Sequence, residues 1–584
     1  MYLDFEVDIP QTSGKITTRT KAETIYIYYE YERIYDKKKQ YTNVKRAVIG
    51  KKLSDDSTKM IPNENFLKYF PNEQLPDDKN RIERSSCLRM GDFLILRKIM
   101  LEKHLPSYLA KHFTDDEIGL LLDLVAYWNV SESNISQYYP DYTYNHPLMT
   151  TDMKMYSDSS VSDFLKKVTE DKITGFLDDW NKDKDHRQKV YISYDSTNKN
   201  TEAGDLELAE FGKPKIDEGQ KIFNYAIAYD TNNQEPLLYE DYPGSINDVT
   251  QLKCMVDKVY GYGYRNIGFI LDRGYFSHRN LDYMTEKGYS FIVMVKGMAS
   301  FVNKLVTDYK GTFEEKWTYE IPEHSLSGIT VKRKLYATDT VERYFHLYFS
   351  PARQSAERKQ LEQKLGRMKS FLEKCQNKKV IFTREISRYF RLHYAKDNET
   401  FLMAEDRVDV IDWEIKHCGY FVIITSENMS ARKAIDFYKS RDVSEKLFRA
   451  DKSFLGNNSM RVPHDESMEA KIFIGFLALI VRNQIYTTLD NAAKGMTSKP
   501  NFMTVPAALK ELEKIELIRQ LDDVYRQDHA VTRTEKIILK AFGMDEAYVK
   551  SWADKIGTCL TELNKNKKQE AIRTLWQEEQ NRLH

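Results

Sequence analysis

The sequence predicts an α/β protein: a mixed sheet flanked by helices, interrupted by a mainly β insertion, with N-terminal hairpin and helical regions and a C-terminal helical region. Three observations carry this expectation. Between residues 189 and 299, short β-branched runs alternate with segments of helical spacing. A basic stretch with short strands follows, and then a last apolar strand and a long helical run. The chain has 584 residues, 41% hydrophobic and 30% charged, a globular balance with length for roughly four domains.

Composition also excludes several classes. The chain is too apolar to be disordered. Its 88 Lys+Arg match 88 Asp+Glu, so only the distribution of charge can speak for a nucleic-acid partner. The longest apolar run, Ile472 to Val481, is too short to cross a bilayer, and the N-terminus shows no secretory leader. Five scattered cysteines (Cys87, Cys254, Cys375, Cys418, Cys559) form no CxxC pair. They read as reduced thiols of a cytoplasmic protein with no cysteine-based zinc site. No HxxxH or HExxH pair suggests zinc either.

The elements follow in order. Region 1–85 contains Thr24 to Tyr35, rich in tyrosine, and a second strand near Val44 to Ile49, together a predicted hairpin across Asp36 to Gln40. Residues 15–52 hold eleven Lys/Arg against four acids. This is either a solvated hairpin or an arm that touches DNA. Region 86–185 is predicted helical, since Ile95, Leu96, Ile99, Met100 and Ile118, Leu121, Leu122, Val125 recur at helical spacing; DNA binding there is an open expectation. Region 186–299 offers strands at Lys189–Tyr194, Phe223–Tyr229, Pro236–Tyr239, Asn266–Leu271 and Ser290–Val295, with helices at Asn247–Tyr260 and His278–Glu286. Region 300–417 is the insertion, with short strands and a basic helix near Ala352 to Gln376. Region 418–500 opens with the strand Gly419–Thr425, then a helix capped by Ser430 and running to about Lys452, then an apolar core helix from Ser467 to Ile485. Region 501–584 is helical.

Two carboxylates, Asp195 and Asp272, sit at the predicted C-terminal ends of buried strands, the edge where α/β sheets collect functional groups. Alone, each is more often a turn former or a helix cap; two on strands that can be neighbours are the better signal. The helix after Ser430 carries Tyr438, Arg441, Glu445 and Lys452. At about 100° per residue they share a stripe roughly 60° wide. An acid there can hold an ion, Arg441 and Lys452 can grip phosphates, and Tyr438 can donate a hydrogen bond or stack. Leu447 points away, toward packing on the sheet.

The spacing Tyr-x2-Arg-x3-Glu-x6-Lys, from Tyr438 to Lys452, resembles the signature of the YREK group of bacterial insertion-sequence DDE transposases. Asp195-Ser196-Thr197 resembles that family's first acid motif, and Asp272-Arg273-Gly274-Tyr275 its second. Tyr242-Pro243-Gly244-Ser245 with Asn247-Asp248 looks like its glycine-containing loop. The resemblance implies a ribonuclease-H-like core, with a β insertion domain in the gap between Asp272 and Glu445, which stand 173 positions apart. It implies a catalytic and metal-binding trio of Asp195, Asp272 and Glu445, whose mutual repulsion two Mg²⁺ ions (Mn²⁺ substituting) would relieve. Tyr438, Arg441 and Lys452 would engage DNA, and Trp413 is the candidate to stack a flipped base if excision passes through a DNA hairpin. Arg273 and His278 read first as structural residues, with contact to DNA or orientation of the second metal ligand as the alternative. The implied partners are the element's terminal inverted repeats and target DNA, with a homodimer in the synaptic complex and no membrane. The implied place is the bacterial cytoplasm at the nucleoid. Two other readings stay open: a ribonuclease-H-like nuclease without strand transfer, and a repressor or architectural DNA-binding protein derived from a transposase.

Overall fold

The computed structural model describes all residues except 1, 3–5, 13–14, 22–23, 37–39, 53–57, 71–83, 202–205, 213–219, 247, 398, 456–458, 461, 463, 499, 521–523 and 565–584. The centre of the expected hairpin turn, Asn247, and the last twenty positions of the C-terminal region therefore lie outside the described residues. The chain forms two compact units, Met1–Arg84 and Ser85–His584.

The first unit is an antiparallel five-stranded sheet in the order Val7–Asp8, Lys59–Pro62, Tyr41–Lys52, Thr24–Asp36, Ile16–Lys21. The expected hairpin is its centre. Ile25 and Ile27 alternate inward, as a half-buried strand requires. Register shifts between Ile27 and Tyr28 and between Glu30 and Glu32 then bring Glu30 inside. Its carboxylate takes Arg33 and Arg46, each at 2.6 Å, while Lys45 pairs with Glu32 at 2.8 Å. Part of the hairpin's basic surplus is thus consumed locally. Tyr31, Ile34 and Tyr35 remain exposed.

The second unit begins with six helices between residues 91 and 182, among them α1 (Asp115–Ser131). A capping box on Thr114 and Glu117 starts α1. The central sheet follows. Its strands are β1 (Val190–Thr201), β2 (Lys221–Asp230) and β3 (Glu235–Pro243), then, after α2 (Asp248–Gly261), β4 (Ile267–Leu271). After α3 (His278–Glu286) come β5 (Ser290–Met294), β6 (Leu326–Arg333) and β7 (Arg343–Phe349). A 25-residue helix α4 (Pro351–Cys375) and a small three-stranded sheet precede β8 (Tyr420–Thr425). Then come α5 (Ala431–Ser440), α6 (Asp442–Arg449) and α7 (Asp465–Lys494).

The sheet order is β6-β7-β8-β5-β4-β1-β2-β3, with Glu320–Ile321 beyond β6. β1, β4 and β5 are parallel, and the other neighbours in that order are antiparallel. This is a mixed α/β sheet, as expected. Alternate residues feed opposite faces. Val190, Ile192 and Tyr194 join α2 and α3, whereas Tyr191, Ile270 and Ile292 join α5.

Three expectations need correction. The strand holding Asp195 does not stop there: it runs to Thr201, because the polar residues from Ser196 on find a ladder partner in β2. The stretch 300–417 is not throughout a separate, mainly β insertion. β6 and β7 lengthen the central sheet, since β7 pairs with β8 over six residues. What remains, 351–417, mixes α4 with three short strands around Leu361, Leu365 and Phe401. The stretches 86–185 and 501–564 share one core wrapped around α7, and Cys87–Arg89 pairs with Glu516–Arg519. α7 is the helix, among the described residues, long and apolar enough to cross a membrane, yet 78% of its apolar window is buried in the fold. It serves as the core helix expected at Ser467 to Ile485, extended at both ends.

Candidate active site

Parallel pairing positions the first two acids. In the β1–β4 register Tyr194 lies opposite Leu271, so one further step sets Asp195 beside Asp272. β4 ends there. Asp272 caps a single 3₁₀ turn, Arg273–Tyr275, with Tyr275 N–H donating to its carbonyl at 3.0 Å. Asp195 Oδ1 accepts from Ser196 N–H at 2.9 Å.

The third acid arrives on α5 and α6. Ser430 caps α5 as expected, accepting from Lys433 N–H at 3.2 Å. Ala431, Ala434, Ile435 and Tyr438 then seat the helix on the sheet, and Phe437 stacks on Tyr191 at 4.0 Å. Arg441 joins α5 to α6 in right-handed helical geometry. Leu447 and Phe448 bury in the large core shared with β2, which turns Glu445 outward.

These elements meet at one guanidinium. Arg441 Nη1 lies 3.9 Å from Asp195 Oδ2 and 3.4 Å from Asp272 Oδ1, and Arg441 Nη2 lies 3.0 Å from Glu445 Oε1. The side chain of Arg441 is 12% exposed, against 19%, 35% and 57% for the three acids in that order. The cation is therefore the buried hub, and the carboxylates open toward solvent. Burial works against its charge. Tyr438 and the three acids outweigh that and hold the Arg441 pKa above its usual value. The Tyr438 hydroxyl donates to Asp272 Oδ1 at 3.4 Å. Burial pushes its pKa up to about 12, so it stays a phenol and a donor at neutral pH.

The other expected residues are placed differently. The helix does not keep one phase to Lys452. A π turn, Ala450–Phe454, follows α6, and the α-helical count that aligned Lys452 with Tyr438 lapses there. Within that turn Asp451 is buried in an ion pair with Lys199 of β1 at 2.8 Å. Trp413 lies on the helix Val408–His417 with its ring stacked on His417 at 4.0 Å. At 41% exposure it is not a core side chain. His278 is occupied by Asp282 at 3.1 Å and Asp339 at 3.0 Å, which makes it a structural residue. Arg273 is exposed. The glycine-containing loop is clamped by Asn224, whose amide donates to the carbonyls of Pro243 and Ile246 at 3.0 Å.

A second group was not legible in the sequence. Asp92, His146 and Glu513 bring ligand-type atoms within 4.8 Å of one another. His146 Nε2 lies 3.4 Å from Asp92 Oδ2 and 3.8 Å from Glu513 Oε1, and Arg89 reaches Glu513 at 3.2 Å. The members stand at helix termini, Asp92 and His146 in one region and Glu513 hundreds of positions on, with no local spacing to betray them.

Against known proteins, the family model described as Transposase DDE domain matches residues 186–481. That span begins just before β1, ends within α7 and contains all three acids. The chain belongs to this family of transposases, the DNA-cutting and DNA-transferring enzymes, which use divalent metal ions. No curated protein matches it. One solved structure it is similar to is described as a cryo-EM structure of the piggyBac transposase synaptic complex with hairpin DNA. The two are 7% identical with a TM-score of 0.34, over 82% of this chain and 83% of that one.

Proposed function

We propose that this protein is a cut-and-paste transposase of the YREK group of bacterial insertion sequences. In this reading it cleaves DNA at the ends of its own element and joins them to target DNA at a ribonuclease-H-like site. The observation that carries the reading is the meeting of Asp195, Asp272 and Glu445, remote in sequence, within 3.0–3.9 Å of one arginine. The strand order β3-β2-β1-β4-β5, with three antiparallel strands followed by two parallel ones, supports the ribonuclease-H-like part.

The donor set fits Mg²⁺. Three carboxylates supply hard oxygen ligands. Arg441 meets two of them only at 3.4 and 3.9 Å, and its buried Nε has no hydrogen-bond partner. Such long single contacts are weaker than a bidentate lock, so a stronger cation can compete. Asp195, Asp272 and Glu445 would hold two Mg²⁺ ions (or Mn²⁺). The chemistry those ions supply when bound is stabilisation of the attacking and leaving oxygens of an in-line displacement at phosphorus. The protein's own part is positional. β1 and β4 present two acids side by side, α6 brings the third, and the Tyr438 phenol orients Asp272. Arg441 offsets the acids' repulsion; on DNA, Arg441 and Lys452 would take the roles the family signature assigns, and Trp413 would stack a flipped base. Water as attacker cuts, and a DNA 3′-hydroxyl joins. Excision through a DNA hairpin, pairing of two ends by a homodimer, and a place at the bacterial nucleoid belong to the same proposal.

The test is incubation of the protein with paired end DNA and a target plasmid in Mg²⁺. Joined products are expected; cutting without joining would reduce the activity to that of a nuclease. Glu445→Gln should keep DNA binding and abolish cleavage. Cleavage by that variant at the wild-type rate would overturn the assignment.

A further inference from the structure

A buried cation lies away from the three acids. Lys471 sits in the second turn of α7 with only 5% of its surface exposed. Among the described residues no carboxylate comes within ion-pair distance of it, and burial alone sets its pKa, pushing it down to about 8. A lysine held in that way is costly unless something compensates its charge.

Lys471 lines a cavity of about 310 Å³. Its walls come from the segment after α1, through Ser136 and Gln137, from the helix Asp158–Leu165 and the residue that ends it, through Ser162 and Lys166, and from the start of α7, through His464. None of its eleven lining residues is acidic, although acids and bases are equal in number over the chain. The start of α7 adds to this. His464 is the N-cap and makes no side-chain capping bond, so first-turn N–H groups are left without the usual side-chain oxygen. The two acids of that turn are turned elsewhere: Asp465 accepts from Glu207 N–H at 3.0 Å, and Glu466 is exposed. Lys166 at the rim shares its charge with Asp163 at 3.3 Å, which leaves Lys471 as the anchor.

We propose that this cavity is an anion site, anchored by Lys471 and the N-terminus of α7, for a phosphate group. Hydroxyls and amides at the wall complete the donors that phosphate oxygens need, and the helix dipole favours the charge. Two sources share this chemistry: a phosphodiester of bound DNA, gripped away from the reacting strand, or a free phosphate. The cavity's affinity for phosphate stands independently; only the DNA source rests on the transposase reading.

The test begins with inorganic phosphate on the full chain, at ionic strength matched with chloride. A saturable rise in Tm on the order of 2 °C is expected. Lys471→Met, similar in shape, should abolish that rise while leaving the variant's own Tm equal or higher. Gln137→Glu, at the wall, should abolish it too. No phosphate-specific shift in the wild type, or a shift retained by both variants, overturns the site. A mixed-sequence DNA duplex then identifies the source. If Lys471→Met also lowers the slope of log K against log salt by about one, the ligand is the DNA backbone. An unchanged slope with lost phosphate binding assigns the cavity to a free phosphate. Neither arm requires cleavage, so the failure of this site and the failure of the catalytic reading are read separately.

Discussion

Two groups of three ionisable side chains, each assembled from distant parts of the chain, have opposite characters. Asp195, Asp272 and Glu445 face one arginine at the edge of the sheet, and the side chains of Asp272 and Glu445 are 35% and 57% exposed. Asp92 and His146 are 0% and 4% exposed, sealed where helix Gly91–Glu102 meets the end of helix Val505–Leu512. There Gly91 approaches the carbonyl of Leu512 so closely that a Cβ would lie 2.3 Å from it. The closed group carries its own basic partners: Arg89 lies 3.2 Å from Glu513, and His146 lies between Asp92 and Glu513. The open group sets three acids against one contacting cation. On the proposed reading that deficit is what two divalent cations would fill, whereas the closed group meets its acids with Arg89 and His146. Kind of residue does not separate the two; burial and charge count do.

The comparison can be broken in four places. Asp195→Asn should lower cleavage at least about a hundredfold and leave the urea midpoint where it was. A matching loss of stability would show the open group to be structural. Asp92→Ala should do the reverse. It leaves His146 buried with one partner fewer, and a loss of about 3 kcal/mol is expected in urea denaturation, with the rate per folded molecule unchanged. Arg441→Gln deepens the deficit, so Mn²⁺ should bind more tightly, on the order of tenfold by titration calorimetry. Weaker binding would mean that the arginine positions the acids rather than competing for them.

The smallest effect is the pH dependence of the closed group. Burial pulls the His146 pKa down, but Asp92 and Glu513 outweigh it and raise it above 6.5. Its stabilisation is therefore fully present below pH 6.5 and is lost as pH rises through the raised value. Asp92 is pushed up to about 6 by burial. A raised carboxyl costs stability as pH climbs from about 4 to 6, so it slopes the same way. His146→Gln should flatten the decline above pH 6.5 by at most one proton, measured as the change of unfolding free energy with pH.

Much of the local structure was legible because it rests on periodicity. The strands around Phe223, Asn266 and Tyr420, the helix from His278 to Glu286 and the Ser430 cap all depend on neighbours within a few positions. β1 outruns its predicted end because Ser196 to Thr201 has the polar composition of a loop. Only the ladder with β2 makes it a strand. Likewise Val331 and Phe345 announce strands but not the sheet they join.

By itself, the sequence determined which residue types stand at which turn of which element, and through its two aspartate motifs and the Tyr438 to Lys452 spacing it pointed to the DDE transposases. Tertiary structure alone decided that Arg441, expected on phosphate, sits among the acids, that a π turn ends the phase before Lys452, and that Lys471 is buried with no carboxylate in ion-pair reach among the described residues. The physical reason is range. Hydrogen-bonded periodicity acts over three or four residues, whereas charge and burial act through space between segments whose separation along the chain carries no signal.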